Sequence, residues 1–351
     1  MDADGIKLTS YCGERHRANG MFTGEALVDL YARHQIAASI MLRGIQGFGL
    51  KRHLRTDTSL SLSEDLPLTT IAVGTRPNIE AVLNRTLELN RPGLVTLERV
   101  QLLSEKIEPV GIAENADEAT RLTVYFSRLD SVYMVPAFEV ICELLYRRGI
   151  PGATALLGVD GIAHGRRQRA RFFSRNADLP MMVVAVGSGD RIGMVLPELA
   201  GLLRHPLMTL QRVRVCKRDG QLINVPELAA EADDHGFPLR QKLTVYTSAA
   251  ARHDGQPIHR AIVRRLRSAG ISGATTYRGI WGFHGERPPH GDCFLQLDRH
   301  VPMITTVIGT AERIFAAFDI IDELTKERGL VTSETVPAMR AFSGHQQPGG
   351  L

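Results

Sequence analysis

The chain repeats one sequence pattern three times, and this repetition limits its possible folds more than any other feature. A Lys/Arg-Leu-Thr-x-Tyr stretch ends at Tyr11, Tyr125 and Tyr246, which are 114 and then 121 residues apart. The same two separations relate two sets of glycines, which are Gly44, Gly158 and Gly279, and Gly47, Gly161 and Gly282. Chance rarely preserves so many separations. The chain is therefore a tandem triplication of a unit of roughly 100 residues.

Each unit has the hydrophobic pattern of a strand, a helix, two strands, a second helix and a last strand. This β-α-β-β-α-β order is typical of the ferredoxin-like, or split βαβ, fold, which is an α+β fold with an antiparallel sheet and both helices on one face. The other face of each sheet needs a cover, and the three copies can supply it to one another. We therefore predict three domains, at residues 5–104, 119–217 and 239–342, that assemble into an intramolecular pseudo-trimer and leave the chain monomeric.

Composition excludes several classes of protein. The 351 residues are 44% hydrophobic and 23% charged, which fits a globular chain. The formal net charge of +4, from 36 Arg and 6 Lys against 38 acidic residues, is too small to indicate nucleic-acid binding. The four cysteines are far apart and form no metal-binding or disulfide pattern. Because no apolar segment resembles a signal peptide or a membrane span, we expect a cytoplasmic protein.

A glycine-rich turn after the second strand is the strongest candidate for a binding site. In copy one it reads R-G-I-Q-G-F-G over residues 43–49, and copy three has a close match from Arg278 to Gly285. Glycines let backbone N–H groups approach an anion, and a flanking Arg adds bidentate hydrogen bonding. The alternative is that the glycines only form a sharp exit from the strand. In copy two Leu157 replaces the Arg, so we expect that copy to have lost its site and to act as scaffold.

Copy one, from Tyr11 through this turn to the S-E-D-L-P stretch at residues 63–67, resembles the domain-of-unknown-function 190 family of PII-like proteins. Copy three resembles it equally, and copy two resembles a divergent member. The Gly-Phe-Gly stretch before a long loop is more distantly similar to the nitrogen-regulatory PII proteins at the base of their T-loop. The resemblance implies ferredoxin-like subunits in a trimer, adenine nucleotides in the clefts between subunits, and signalling through the T-loop to partner proteins.

The resemblance also implies particular residues. It places a small anionic ligand, with an adenine nucleotide as the implied class, beside the two intact turns, at Arg43, Gly44, Gly47, Phe48, Gly49, Arg278, Gly279, Gly282, Phe283 and Gly285. The T-loop equivalents are residues 50–64, 166–177 and 286–299. The second phosphate-binding loop of PII proteins is reduced here, and Arg91 and Arg328 remain as its candidate phosphate contacts. Neither a cofactor nor a specific protein partner is identified by the sequence.

Other candidates are weaker. Arg166, Arg167, Arg169 and Arg171 form a basic run that could dock an acidic partner or RNA, although a solvated loop is the favoured interpretation. His164 and His284 have no third ligand nearby in sequence, which favours surface histidines over a metal site. Because no nucleophile or base is identifiable, we do not expect an enzyme. The resemblance implies a regulatory protein that binds a ligand and signals to a protein partner. The alternatives are an enzyme acting on a phosphorylated or nucleotide substrate at the same clefts, and a ligand-free accessory protein of a membrane transporter.

Overall fold

The computed structural model describes most of the chain. The described residues are 3–49, 53–57, 65–91, 93–104, 107–108, 111–112, 115, 117–170, 178–227, 230–233, 236–285, 287–291 and 300–339. The predicted T-loop equivalents lie partly outside them, at residues 50–52, 58–64, 171–177, 286 and 292–299.

The helices and strands follow the repeat. Copy one contains β1 (Ala3–Gly13), β2 (Arg17–Ala18), β3 (Met21–Phe22), α1 (Thr23–Arg33), β4 (Ala38–Arg43), β5 (Gln46–Phe48), β6 (Arg55–Thr56), β7 (Pro67–Thr75), α2 (Arg76–Leu89) and β8 (Leu94–Ser104). Copy two contains β9 (Glu118–Ser127), β10 (Ser131–Val132), β11 (Val135–Pro136), α3 (Ala137–Arg147), β12 (Gly152–Leu157), β13 (Asp160–Ala163), β14 (Arg166–Arg169), β15 (Pro180–Gly187), α4 (Gly189–Leu202), β16 (Leu207–Arg218) and β17 (Gln221–Leu222). Copy three contains β18 (Leu239–Ser248), β19 (Arg252–His253), β20 (Gln256–Pro257), α5 (Ile258–Ser268), β21 (Ala274–Arg278), β22 (Trp281–His284), β23 (His290–Gly291), β24 (Pro302–Gly309), α6 (Ala311–Leu324) and β25 (Leu330–Met339).

The long strands of each copy form the antiparallel sheet of a ferredoxin-like domain. In copy one β1 lies between β7 and β8, and β4 pairs with the other edge of β7. The register places Leu8 opposite Ala72 on one side and Leu97 on the other. Copies two and three repeat these pairings. The predicted fold class, three tandem ferredoxin-like domains, is confirmed.

One face of each sheet is covered by the two helices of its own copy. In copy one the alternating strand residues Ile6 and Leu8 pack with Leu27 and Val28 of α1 and Ile79 of α2 in a single buried cluster. Equivalent clusters lie between the sheet and the helices of the other copies. Period-two strands and period-3.6 helices thus bury their apolar faces against each other, as the patterns require.

The opposite faces of the three sheets cover one another. Leu42 and Ile71 of copy one, Met182 and Val184 of copy two, and Ile304 of copy three belong to one central buried cluster. This arrangement supplies the cover that each sheet lacks by itself. The predicted intramolecular pseudo-trimer follows from it.

Strand pairing between copies closes the assembly into a ring. The glycine turns and the neighbouring strands join the copies through the pairs β4–β13, β12–β22 and β21–β5. The ends of the last strands pair as β8–β16, β16–β25 and β25–β8. Every copy therefore pairs with both others, so the three domains form one continuous sheet system.

The short hairpins before the first helices differ in an informative way. Their two central residues have positive φ in every copy, as a type I′ turn requires. Copies one and three place Asn19-Gly20 and Asp254-Gly255 there, which suit this conformation. Copy two places Tyr133 and Met134 there, with φ of 49° and 68°, and both side chains are almost completely exposed. Large side chains at these angles are strained and gain no burial in return.

Candidate functional site: the clefts between domains

The glycine turns first of all lock neighbouring domains together. The residue after the second glycine of each turn is Phe48, Ile162 or Phe283, and each is at most 4% exposed. Phe48 of copy one belongs to the core of copy three, Ile162 of copy two to the core of copy one, and Phe283 of copy three to the core of copy two. Each copy thus inserts one apolar side chain into the core of the next, in a cyclic order.

The second glycine makes this insertion possible. A Cβ atom on Gly282 would lie 2.1 Å from the carbonyl oxygen of Ala153, and one on Gly161 would lie 2.1 Å from that of Ser39. On Gly47 it would lie 2.5 Å from the carbonyl oxygen of Ala274. A side chain at these positions would push the paired strand of the neighbouring copy away. The spacing of these glycines is therefore explained by strand pairing between copies.

The first glycine of each turn uses its N–H group inside the protein. The N–H groups of Gly44, Gly158 and Gly279 donate to the carbonyl oxygens of Pro67, Pro180 and Pro302, in each case over 2.8 Å. These N–H groups are therefore already paired, and the anion contact expected of Gly44 and Gly279 has no donor there.

The flanking arginines lie apart from the clefts. Arg43 is half-exposed, and its Nη2 lies 3.0 Å from Oε2 of Glu14. Arg278 at the equivalent position is half-buried near His259. Arg91 and Arg328 are exposed. None of these four side chains lines the cleft cavities described below.

The first of the clefts beside the glycine turns, cleft A, lies between copies one and three and has a volume of about 350 Å³. One wall comes from β1, the glycine turn and the start of β7, and the other from β21 and β24. Phe48 and Gly49 lie at its base, and Gly273 of copy three faces them. A Cβ atom on Gly49 would contact none of the described atoms within 4 Å, so among these atoms the third glycine opens onto free space. Of the predicted site residues, only Phe48 and Gly49 line this cleft.

Three basic side chains that sequence reasoning missed line cleft A, namely His16, His53 and Arg55. Nη2 of Arg55 lies 2.7 Å from Oδ2 of Asp65, which orients the guanidinium at the cleft. Nδ1 of His16 accepts a hydrogen bond of 3.2 Å from the N–H of Gly13. Because Nδ1 accepts, the Nε2 atom of a neutral His16 carries the proton and is a donor.

Apolar groups form the rest of cleft A, including Leu68, Leu94 and Ile308. The thiol of Cys12 also lines it, and burial raises the pKa of Cys12 to about 12. The thiol is therefore protonated near neutral pH and is a poor nucleophile. An apolar cavity with an arginine and two histidine hydrogen-bonding groups at one side suits a ligand with an apolar body and an anionic group.

The equivalent cleft between copies two and one, cleft B, encloses about 320 Å³. His164, Arg204 and His205 line it, beside Ile162 of the divergent turn. Nε2 of His164 lies 2.7 Å from Oδ2 of Asp130. Although Leu157 replaces the turn's arginine in this copy, cleft B has nearly the volume of cleft A. Arg204 occupies the repeat position of Arg91.

Cleft C, between copies three and two, is nearly filled, with about 30 Å³ remaining. A turn at Asp219 and Gly220, after β16, enters it. Oδ1 of Asp219 lies 3.0 Å from Nε2 of His284, and the N–H of Asp219 donates to the carbonyl of Gly329 over 2.8 Å. Of the predicted copy-three residues, Phe283 lines this cleft, but the described atoms leave almost no room for a ligand.

The described part of the basic run of copy two forms ion pairs with carboxylates of copies one and two. Arg166–Arg169 form β14, which pairs with β13. Arg167 bridges the buried carboxylate of Asp160, 2.6 Å away, and Asp29 of α1, while Arg169 contacts Glu25 of the same helix. This part of the run therefore clamps copy two onto copy one, and Arg171 lies outside the described residues.

The described residues contain neither a metal-binding cluster nor a membrane-spanning helix. No group of three or more His, Cys, Asp or Glu side chains there could hold a metal ion. Among the same residues, no helix has the length and apolarity needed to cross a membrane.

The model of the DUF190 family, described as "Uncharacterized ACR", matches this chain three times. The matches cover residues 5–102, 119–215 and 240–338. The chain belongs to the DUF190 family. The three matches coincide with the three sheets, so the family unit is a single ferredoxin-like domain and this member carries three.

Curated relatives have the length of one such unit. A UPF0166 protein from Aquifex aeolicus is 27% identical over 97 residues, which are 28% of this chain and 90% of the relative. A UPF0166 protein from Methanocaldococcus jannaschii is 29% identical over 89 residues, which are 25% of this chain and 82% of the relative. The triplicated DUF190 chain thus combines in one polypeptide what these relatives carry once.

Proposed function

We propose that this DUF190 protein is a PII-like regulatory protein that binds a small anionic ligand in cleft A. The observation that carries the proposal is the cavity of about 350 Å³ between copies one and three, with His16, His53 and Arg55 on one side. Its volume lies in the range of small-molecule sites. An adenine nucleotide has the required apolar ring and anionic phosphates, and it is the first ligand to test.

The ligand would be held by groups from two domains. Arg55, oriented by Asp65, presents a planar guanidinium that can bind a phosphate oxygen pair. His16, between β1 and β2, adds a donor, and the apolar wall of Leu68, Leu94 and Ile308 covers the ring. Because β21 of copy three forms the opposite wall, a bound ligand would contact both copy one and copy three.

The ligand would also bias the segment after the glycine turn. Gly49 and His53 line cleft A on either side of residues 50–52, at the start of the T-loop equivalent. A ligand that contacts these two residues would favour one conformation of that segment, and a protein partner could recognise that conformation. The proposal therefore assigns ligand binding to cleft A and signalling to the segment that begins at Gly49.

A thermal-shift screen with ATP, ADP, AMP, cyclic dinucleotides and simple anions tests ligand binding. We expect a nucleotide to raise the unfolding temperature of the wild type and of Arg43→Ala, because Arg43 lies outside the cleft. Arg55→Ala should lose most of that shift. Gly49→Leu, which fills the cleft where a side chain has free space, should lose it too. Equal loss in Arg43→Ala and Arg55→Ala would contradict the assignment.

The same proteins distinguish the alternatives. An enzyme would turn over a nucleotide or phosphorylated substrate, and Arg55→Ala would abolish that turnover. A ligand-free accessory protein of a transporter would show no thermal shift with any of these compounds, yet would be captured by its membrane partner.

A further inference from the structure

A cluster of buried charges lies where the three domains meet. The first strand of each copy contributes a cation, which is Lys7, Arg121 or Lys242, and the last strand contributes Glu98, Gln211 or Glu334. We call these six residues the axial cluster. The residues repeat with the separations of the domains, so the cluster follows the pseudo-threefold arrangement, except that copy two has Gln211 in place of a glutamate.

Close contacts hold the axial cluster together. Oε2 of Glu98 lies 2.6 Å from Nζ of Lys7 and 2.9 Å from Nζ of Lys242. Nη1 of Arg121 lies 2.5 Å from Oε1 of Glu334. The amide of Gln211 donates to Glu98 over 2.9 Å and accepts from Lys7 over 2.9 Å. The amide satisfies hydrogen bonds, but it carries no charge.

The substitution of Gln211 leaves the cluster with an excess of positive charge. Among the described residues it contains three cations and two carboxylates, and each of these five residues is at most 8% exposed. An uncompensated buried charge is costly, because the surroundings solvate it poorly. Burial lowers the pKa of Lys7 to about 8, which still leaves the amine mostly protonated near neutral pH.

A cavity of about 80 Å³ adjoins the cluster. Lys7, Lys242, Arg121 and Glu98 line it, together with a threonine from the first strand of each copy (Thr9, Thr123 and Thr244). The hydroxyl of Thr244 is buried and has no hydrogen-bond partner among the described atoms. The cavity has room for an ion and a few water molecules.

We propose that this axial cavity binds one small monovalent inorganic anion, of which chloride is the common example. The anion neutralises the excess charge left by Gln211 and accepts hydrogen bonds from the ammonium groups and the threonine hydroxyls. Oε1 of Glu98, which has no partner in the described part of the chain, takes a hydrogen bond from a water molecule beside the anion. Tyr11 and Thr306 line both this cavity and cleft A, but no residue of the axial cluster lines cleft A. The anion site does not depend on the ligand of cleft A.

Thermal unfolding of the full chain in sodium chloride, with sodium gluconate replacing it at constant ionic strength, tests the proposal. A ligand that binds only the folded state stabilises it increasingly with concentration. We expect the wild-type unfolding temperature to rise by about 5 °C when chloride exceeds its dissociation constant a hundredfold. An unfolding temperature that is the same in both salts would overturn the proposal.

Charge-changing variants decide whether the axial cavity is responsible. Lys7→Met balances the cluster and should abolish the chloride dependence, whereas Glu334→Gln raises the excess charge and should strengthen it. Arg43→Met removes an exposed cation elsewhere and should leave the dependence unchanged. Chloride dependence that survives in Lys7→Met would overturn the proposal.

Bromide provides a test that needs no variant. Crystals of the wild type grown in sodium bromide should show an anomalous scattering peak in the axial cavity. Water molecules alone at that place would contradict the site.

Discussion

The ring of Phe283 lies edge-on to the ring of Tyr146, with their centroids 5.3 Å apart and their planes at 79°. Phe283 belongs to the glycine turn of copy three, and Tyr146 belongs to α3 of copy two. The contact shows that a turn with the sequence features of an anion-binding loop also fastens one domain to the next. The domains are therefore held in a ring by buried side chains as well as by strand pairing.

Removing this side chain should destabilise the whole ring. We expect Phe283→Ala to lower the free energy of unfolding by about 3–5 kcal/mol, the usual cost of truncating a buried Phe. Chemical denaturation measures this loss. Trp281→Ala is a matched control on the same strand, with a smaller expected loss because Trp281 is only partly buried. A loss below about 1 kcal/mol for Phe283→Ala would contradict the insertion.

The glycines of one turn should differ in their tolerance of a methyl group. Gly282→Ala would place Cβ 2.1 Å from a backbone carbonyl and at a φ of 146°, so we expect a loss of at least 2 kcal/mol. Gly49→Ala has free space around Cβ and should change stability by less than about 0.5 kcal/mol. Equal effects of the two substitutions in urea denaturation would show that strand pairing between copies does not set the glycine spacing.

The sequence predicted the fold well because repeat separations and hydrophobic periods are local properties. The role of the turns was only half predicted, since the spacing of Gly44 and Gly47 fits an anion loop and a close strand contact equally. The partner of Gly47 is Ala274, more than two hundred residues away, and no local pattern reveals such a pairing. The structure shows the close contact between Gly47 and the paired strand. The first two glycines therefore serve the exit from the strand and the strand pairing, and Gly49 alone of the three opens onto the cleft.

The cleft residues were missed for a related reason. Arg55 follows the turn in a segment that the sequence marks only as loop, and its role depends on Asp65 and on β21 of copy three. Asp219 lies between the predicted second and third domains, at residues 119–217 and 239–342, yet it fills cleft C. A search for basic residues shortly after the turn would have found His53 and Arg55, but not the closing of cleft C.

The strained hairpin of copy two offers a stabilising substitution. Replacing Tyr133 and Met134 with the Asn-Gly pair of copy one should raise the free energy of unfolding by about 1–2 kcal/mol, because the type I′ angles then suit the residues. Both side chains are exposed, so little burial is lost. The reverse exchange of Asn19 and Gly20 in copy one should destabilise by a similar amount. Stability that falls in the first variant would mean that the hairpin side chains make a stabilising contact.

A buried histidine should make stability depend on pH. Burial, with the charges of Arg260, Arg278 and Arg252 adding to it, lowers the pKa of His259 to about 4. Between about pH 4 and 6.5 this histidine binds a proton in the unfolded chain but not in the folded chain. Its contribution to the free energy of unfolding is therefore fully present above pH 6.5 and is lost as the pH falls to 4. We expect His259→Gln to remove on the order of 2 kcal/mol of that dependence. Identical pH profiles of the variant and the wild type would contradict the shift.

The occupancy of the clefts tests the account most directly. Isothermal titration calorimetry of the full chain with ATP and with ADP measures both affinity and the number of sites. We predict binding that Arg55→Ala weakens at least tenfold and Arg43→Ala leaves unchanged, with at most two ligands per chain because cleft C is filled. Three equivalent ligands per chain, or an affinity that Arg55→Ala does not alter, would contradict the assignment of the site to cleft A.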